Sequence, residues 1–126
     1  MLIGIVPDPE RHRDWPQMKA FLEPAAQRGG VPVLERDEAV WAIYDGLLTG
    51  AATARLTTSG FGEIVLVGGL YHRRWINKLD HLIGEWMKAE GMESVRAYGR
   101  KGWVRVLNDW KVMGECDGMT GYERAL

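Results

Sequence analysis

The sequence predicts a mixed α/β domain, a single layered sheet with helices on both faces. Three observations carry that prediction. Apolar residues alternate at Ala52, Ala54 and Leu56, the period of a half-buried strand. They recur at helical spacing in Ile76, Leu79, Leu82, Ile83, Trp86 and Met87. Between these segments, Glu63-Ile64-Val65-Leu66-Val67 is apolar at successive positions, as in a central strand covered on both faces.

Each element follows in order. MLIGIVP is a short apolar run stopped by Pro7 and Pro9, which suits a first strand. Asp14-Trp15-Pro16 reads as a helix start, and Met18, Phe21, Leu22 and Ala25 then fall on one face. Pro24 should kink or shorten this helix, and Gly29-Gly30 should close it. A second helix is expected from Asp37 to Gly50, with Val40, Ile43, Tyr44, Leu47 and Leu48 as its apolar stripe. The alternating strand over 51–57 follows, with Thr53, Arg55 and Thr57 on its polar face. Ser59-Gly60-Phe61-Gly62 turns the chain into the central strand. The long helix runs from Ile76 to a stop at Gly91, and Glu93 to Tyr98 alternates as a strand. A short helix is expected over Lys101–Leu107, with Trp103, Val104 and Leu107 packing back on the sheet. The tail supplies two strands joined at Asp117-Gly118.

Bulk properties narrow the field. The chain has 126 residues, enough for one hydrophobic core, and is read as a single domain over 1–126. With 16 cationic against 17 anionic side chains the formal net charge is -1, so no global field attracts nucleic acid or a membrane. One cysteine, Cys116, excludes an internal disulfide framework and fits a reducing cytoplasm. With no histidine at a nearby spacing, it reads as a small buried apolar residue. His81 and Glu85, with Asp80, read as the polar face of the long helix; two ligands make no metal site, and none is expected. The 6 tryptophans read first as packing residues.

The element order, together with EIVLVGG, the long helix ending KAEGM, and SVRAYGRKGWVRVL, resembles the GCN5-related N-acetyltransferase (GNAT) superfamily, and within it short GNAT-like proteins encoded by tailed bacteriophages. The resemblance implies a GNAT-like acyl-CoA N-acyltransferase fold. It also implies transfer of an acetyl group from acetyl-coenzyme A to an amine on a small molecule or protein. The alternative it leaves open is a non-catalytic phage protein on the same scaffold, in the virion or in its assembly. The implied partners are an amine acceptor or phage virion proteins, with no membrane and no nucleic acid. The implied place is the host cytoplasm or the virion.

In such a fold the cofactor pyrophosphate is held at the start of the helix after the central strand, where unpaired amides and the helix dipole favour an anion. The resemblance therefore assigns cofactor binding to Val67, Gly68, Gly69, Arg73, Arg74 and Trp75, with Arg100 at the next strand-to-helix corner. The usual spaced glycines are absent here: Gly68 and Gly69 precede the arginines, whose guanidiniums must then bind phosphate themselves. The chemistry also needs a base and a proton donor. Glu63 is the candidate base. The last-helix tyrosine expected of the superfamily would fall at Val106 or Leu107, neither of which gives a proton. Tyr98 is the candidate in its place, with Tyr122 as the other tyrosine available.

Overall fold

The structure, a computed structural model, describes residues 1–100, 107 and 109–126. Among the described residues seven strands and two α-helices follow in order: β1 (Leu2–Val6), α1 (Trp15–Gly29), β2 (Ala39–Asp45), β3 (Leu47–Leu56), β4 (Phe61–Gly69), α2 (Ile76–Ala89), β5 (Ser94–Gly99), β6 (Lys111–Cys116) and β7 (Met119–Ala125). The strands form one mixed seven-stranded sheet in the order β1-β2-β3-β4-β5-β7-β6, with β4 and β5 parallel. The short helix expected over Lys101–Leu107 lies outside the described residues, as do Trp103 and the side chain of Cys116. Of that segment Leu107 alone is described, and it is buried.

The chain packs as two compact units, Met1–Arg55 with Val65–His72, and Leu56–Ile64 with Arg73–Leu126. In the first, β1 pairs with β2 and β2 with β3, both antiparallel. Met18, Leu22 and Ala26 of α1 pack against Val6, Val40, Ala42, Ala51 and Leu66. The helix runs through Pro24 without a break, ending at Gly30 in the left-handed conformation. Asp14 does not cap it through its side chain. Its carboxylate instead accepts from the Tyr44 hydroxyl at 2.7 Å, while its N–H donates to His12 Nδ1 at 3.0 Å.

The helix expected over Asp37–Gly50 is absent; those residues form β2 and the first part of β3. Val40 to Ile43 are buried at four consecutive positions, so the stretch is a strand covered on both faces. Asp45-Gly46 is its hairpin turn, with Gly46 at φ 80°. Past it, Leu48 faces Tyr44 and Gly50 faces Ile43, so Thr49 is the extra residue of a bulge. The expected polar face of the following strand also needs correction. Thr53 is fully buried, and its hydroxyl oxygen accepts the Leu66 N–H at 3.2 Å. A buried hydroxyl with a backbone partner costs little, and this is why a threonine can stand inside.

In the second unit, α2 buries Ile76, Leu79, Ile83, Gly84 and Met87, close to the stripe its spacing predicts. Met87 lies over Gly62 of β4. The β4–β5 ladder holds four pairs, Phe61–Ser94 to Ile64–Ala97. β5 then pairs antiparallel with β7 along its whole length, and β6 closes the edge. Asp117 and Gly118 both have positive φ, the two-residue turn that the Asp-Gly pair predicts.

Candidate functional site

The expected cofactor glycines have structural neighbours of their own. A Cβ on Gly68 would overlap the Phe21 carbonyl of α1, and one on Gly69 would overlap the Thr49 carbonyl and Gly50 at the β3 bulge. Leu70 N–H donates to that same Thr49 carbonyl at 2.8 Å. Gly68 and Gly69 therefore allow two backbone segments to approach β4 closely within the first unit. Val67, beside them, is half-buried. Tyr71 follows at φ 54°, a left-handed conformation rare for a residue with a Cβ, and its side chain is exposed.

The other expected site residues belong to the second unit. Arg73 and Arg74 close a 3-10 turn (His72–Arg74) that leads into α2, and both are exposed. Trp75 is only 1% exposed, the burial of a packing residue. Arg100 is exposed, and its carbonyl accepts the Tyr122 hydroxyl at 2.5 Å.

Register brings four charges into one row. Glu63 stands opposite Arg96, Arg96 opposite Glu123, and Glu123 opposite Lys111, so signs alternate across β4, β5, β7 and β6. Residues paired across strands share a face, so this is a charged stripe. Arg96 is its centre: Nε donates to Glu123 Oε2 at 2.7 Å, and the guanidinium lies 4.0 Å from the Phe61 ring centroid.

Tyr98 lies two residues beyond Arg96 on β5, on the same face as the stripe. It is exposed, its ring rests against Gly121, and it lies past the last β4–β5 pair. Tyr122, the other candidate donor, points to the opposite face, is buried, and spends its proton on the Arg100 carbonyl. Glu63 and Tyr98, the expected base and proton donor, thus lie on one face of this unit, a face that Glu123 and Lys111 share.

Sequence reading missed the polar cluster under α2. Asp80, expected on a solvated face, accepts from Arg124 Nη2 through Oδ1 and from the Trp110 indole N–H through Oδ2, each at 3.1 Å. The side chains of Arg124 and Asp80 are only 18% and 14% exposed. Gly84, one turn on, leaves room for the guanidinium. The partners lie 44 and 30 residues away in sequence, so no local signal shows the cluster. Among the described residues no group of three His, Cys, Asp or Glu side chains could hold a metal ion. No described helix is long and apolar enough to cross a membrane.

No protein-family model and no curated protein matches the sequence. Solved structures do match. The chain superposes on the IAA acetyltransferase from Bacillus cereus with a TM-score of 0.72 at 15% identity, covering 99% of both chains. Tetrahymena GCN5 gives a TM-score of 0.74 at 15% identity over 99% of this chain and 96% of that one. A GNAT family acetyltransferase from Elizabethkingia anophelis with acetyl-CoA bound gives 0.73 at 8% identity over 99% and 97%. This chain has the fold of the GCN5-related N-acetyltransferases.

Proposed function

We propose that the protein transfers an acetyl group from acetyl-coenzyme A to an amine. The observation that carries this reading is the placement of Tyr98: an exposed phenol just past the last β4–β5 pair, on the face that also bears Glu63. The structural likeness to acetyltransferases over the whole chain supports it, though a fold alone never fixes a reaction. Acetyl-coenzyme A, when bound, supplies a thioester whose carbonyl carbon takes the amine and whose sulfur departs. Glu63 accepts the proton that the amine must lose, and Tyr98 gives a proton to the departing sulfur. The exposed Arg73 and Arg74 bind the anionic phosphates with guanidinium groups, where related folds use glycine-spaced amides. Beyond Ala97 the backbone edge of Tyr98 and Gly99 opposite β7 lies outside the β4 ladder, and it offers hydrogen-bonding groups to the amides of an extended pantetheine arm.

The resemblance to phage GNAT-like proteins supports a phage gene as the source and the host cytoplasm as the place of action. The second reading, a non-catalytic virion or assembly protein, is favoured by one observation: Gly68 and Gly69 are committed to packing against α1 and β3. A continuous thiol-release assay with a panel of primary amines separates the two. Transfer predicts acetyl-CoA-dependent thiol release that saturates with at least one amine and falls in Tyr98→Phe. Release no faster than spontaneous hydrolysis for every amine, with the chain present at fixed copy number in purified particles, would establish the second.

A further inference from the structure

The two edges of the sheet are built differently. β6, at one end, carries the devices that discourage edge pairing: exposed Lys111 and Glu115 at its ends, and a bulge between Val112 and Gly114. β1, at the other end, carries none of them. Leu2-Ile3-Gly4-Ile5-Val6 has no charge, no proline and no bulge, and its five residues pair in unbroken register with Tyr44 to Val40. Leu2 is 75% exposed and Ile5 46% exposed, a large aliphatic area to leave in water on an open strand edge.

The strand is also self-complementary. Read from Gly4 outward it gives Ile and Ile, then Leu and Val. Two antiparallel copies related by a two-fold axis at Gly4 would set Ile3 opposite Ile5 of the other copy on one face. On the other face they would set Leu2 opposite Val6 and Gly4 opposite Gly4. Every cross-strand pair is then aliphatic or glycine, and the β-branched members are those that favour such pairs. Nothing lies within 4 Å of a Cβ built on Gly4, so the sheet face above this position is open and a side chain there meets no obstacle in the single copy. Pro7 limits the pairing to these five residues, because it cannot donate to a ladder.

We propose that β1 is the interface of a symmetric homodimer, in which two copies pair antiparallel through Leu2–Val6 about Gly4 and join their sheets. An isologous contact of this kind closes on itself, so assembly stops at two. It holds whichever reaction the protein performs.

Sedimentation of the full chain is the test, with Gly4→Lys as the disrupting variant. In that variant two ammonium groups face each other across the axis, while the single copy has room for the new side chain. The wild type is expected to sediment at twice the 14.2 kDa chain mass, and Gly4→Lys at the chain mass with unchanged circular dichroism. A disulfide trap in a Cys116→Ser background fixes the register. Gly4→Cys, next to its own copy at the axis, should cross-link on oxidation. Leu2→Cys should not, because its copies lie four residues apart along the strand, roughly 13 Å. A wild type that stays monomeric up to millimolar concentration would overturn the proposal. So would a dimer that survives Gly4→Lys, or one that Val112→Lys on β6 dissolves in its place.

Discussion

Replacing Gly68 by alanine puts a methyl group where the Phe21 carbonyl of α1 already sits. The obstacle is backbone, so no rotamer change relieves it; α1 must lift away from β4. Lifting separates Met18 and Leu22, both fully buried, from the core residues beneath them. A gap of even half an ångström forfeits about a quarter of each affected dispersion contact. Overpacking typically costs about 1–3 kcal/mol, and a backbone collision belongs at the top of that range. We expect about 3 kcal/mol. At an m value of about 3 kcal/mol/M in guanidinium, the unfolding midpoint then falls by about 1 M. Gly62→Ala is the internal comparison: its new methyl meets the Met87 side chain, with Cε at 2.6 Å, and a thioether can re-settle. That variant should lose about 1 kcal/mol. Gly29→Ala, whose Cβ meets only Val31 Cγ2 at 3.6 Å within a helix, should gain about 0.5 kcal/mol. A Gly68→Ala midpoint within about 0.2 M of wild type would refute the packing explanation for this glycine.

Asp80→Ala leaves the Arg124 guanidinium with a lost charge partner under α2 and should cost about 3 kcal/mol in chemical denaturation. Adding Arg124→Met should recover part of the loss, and strict additivity of the two would show that the pair is not coupled. Burial, then the hydrogen bond to Asp14, raise the Tyr44 phenol to about 12. Its stabilising share is complete below its ordinary value near 10 and is lost as pH rises through about 12, so stability should fall across that window and Tyr44→Phe should flatten the fall. Tyr98→Phe should lower kcat at least tenfold with little change in KM, since proton donation acts in the transition state; an unchanged kcat removes Tyr98 from the chemistry.

Much of the fold is legible in the sequence, because α2, β4, β5 and the Asp117-Gly118 hairpin each carry a periodicity or turn signal of their own. β2 is not, and the reason is physical. Val40, Ile43, Tyr44, Leu47 and Leu48 fit a helical stripe, but a strand buried on both faces has no period to contradict it. The discriminating signal was Asp45-Gly46 after a run of β-branched and aromatic residues. At the candidate site, Glu63, Tyr98, Arg73 and Arg74 come forward through the resemblance, and no local spacing selects them. The roles of glycines are invisible, since a glycine that admits a phosphate and one that admits a neighbouring helix look alike in sequence. The charged stripe of Glu63, Arg96, Glu123 and Lys111 and the Asp80 cluster are set by strand register and long-range packing, which no short window contains.

The most direct measurement of the central claim is a calorimetric titration of the purified chain with acetyl-coenzyme A. An acetyltransferase whose exposed arginines hold the phosphates predicts saturable heat at one site per chain, weakened at least tenfold by Arg73→Ala combined with Arg74→Ala and weakened again by added salt. Absence of heat up to millimolar acetyl-coenzyme A would contradict it.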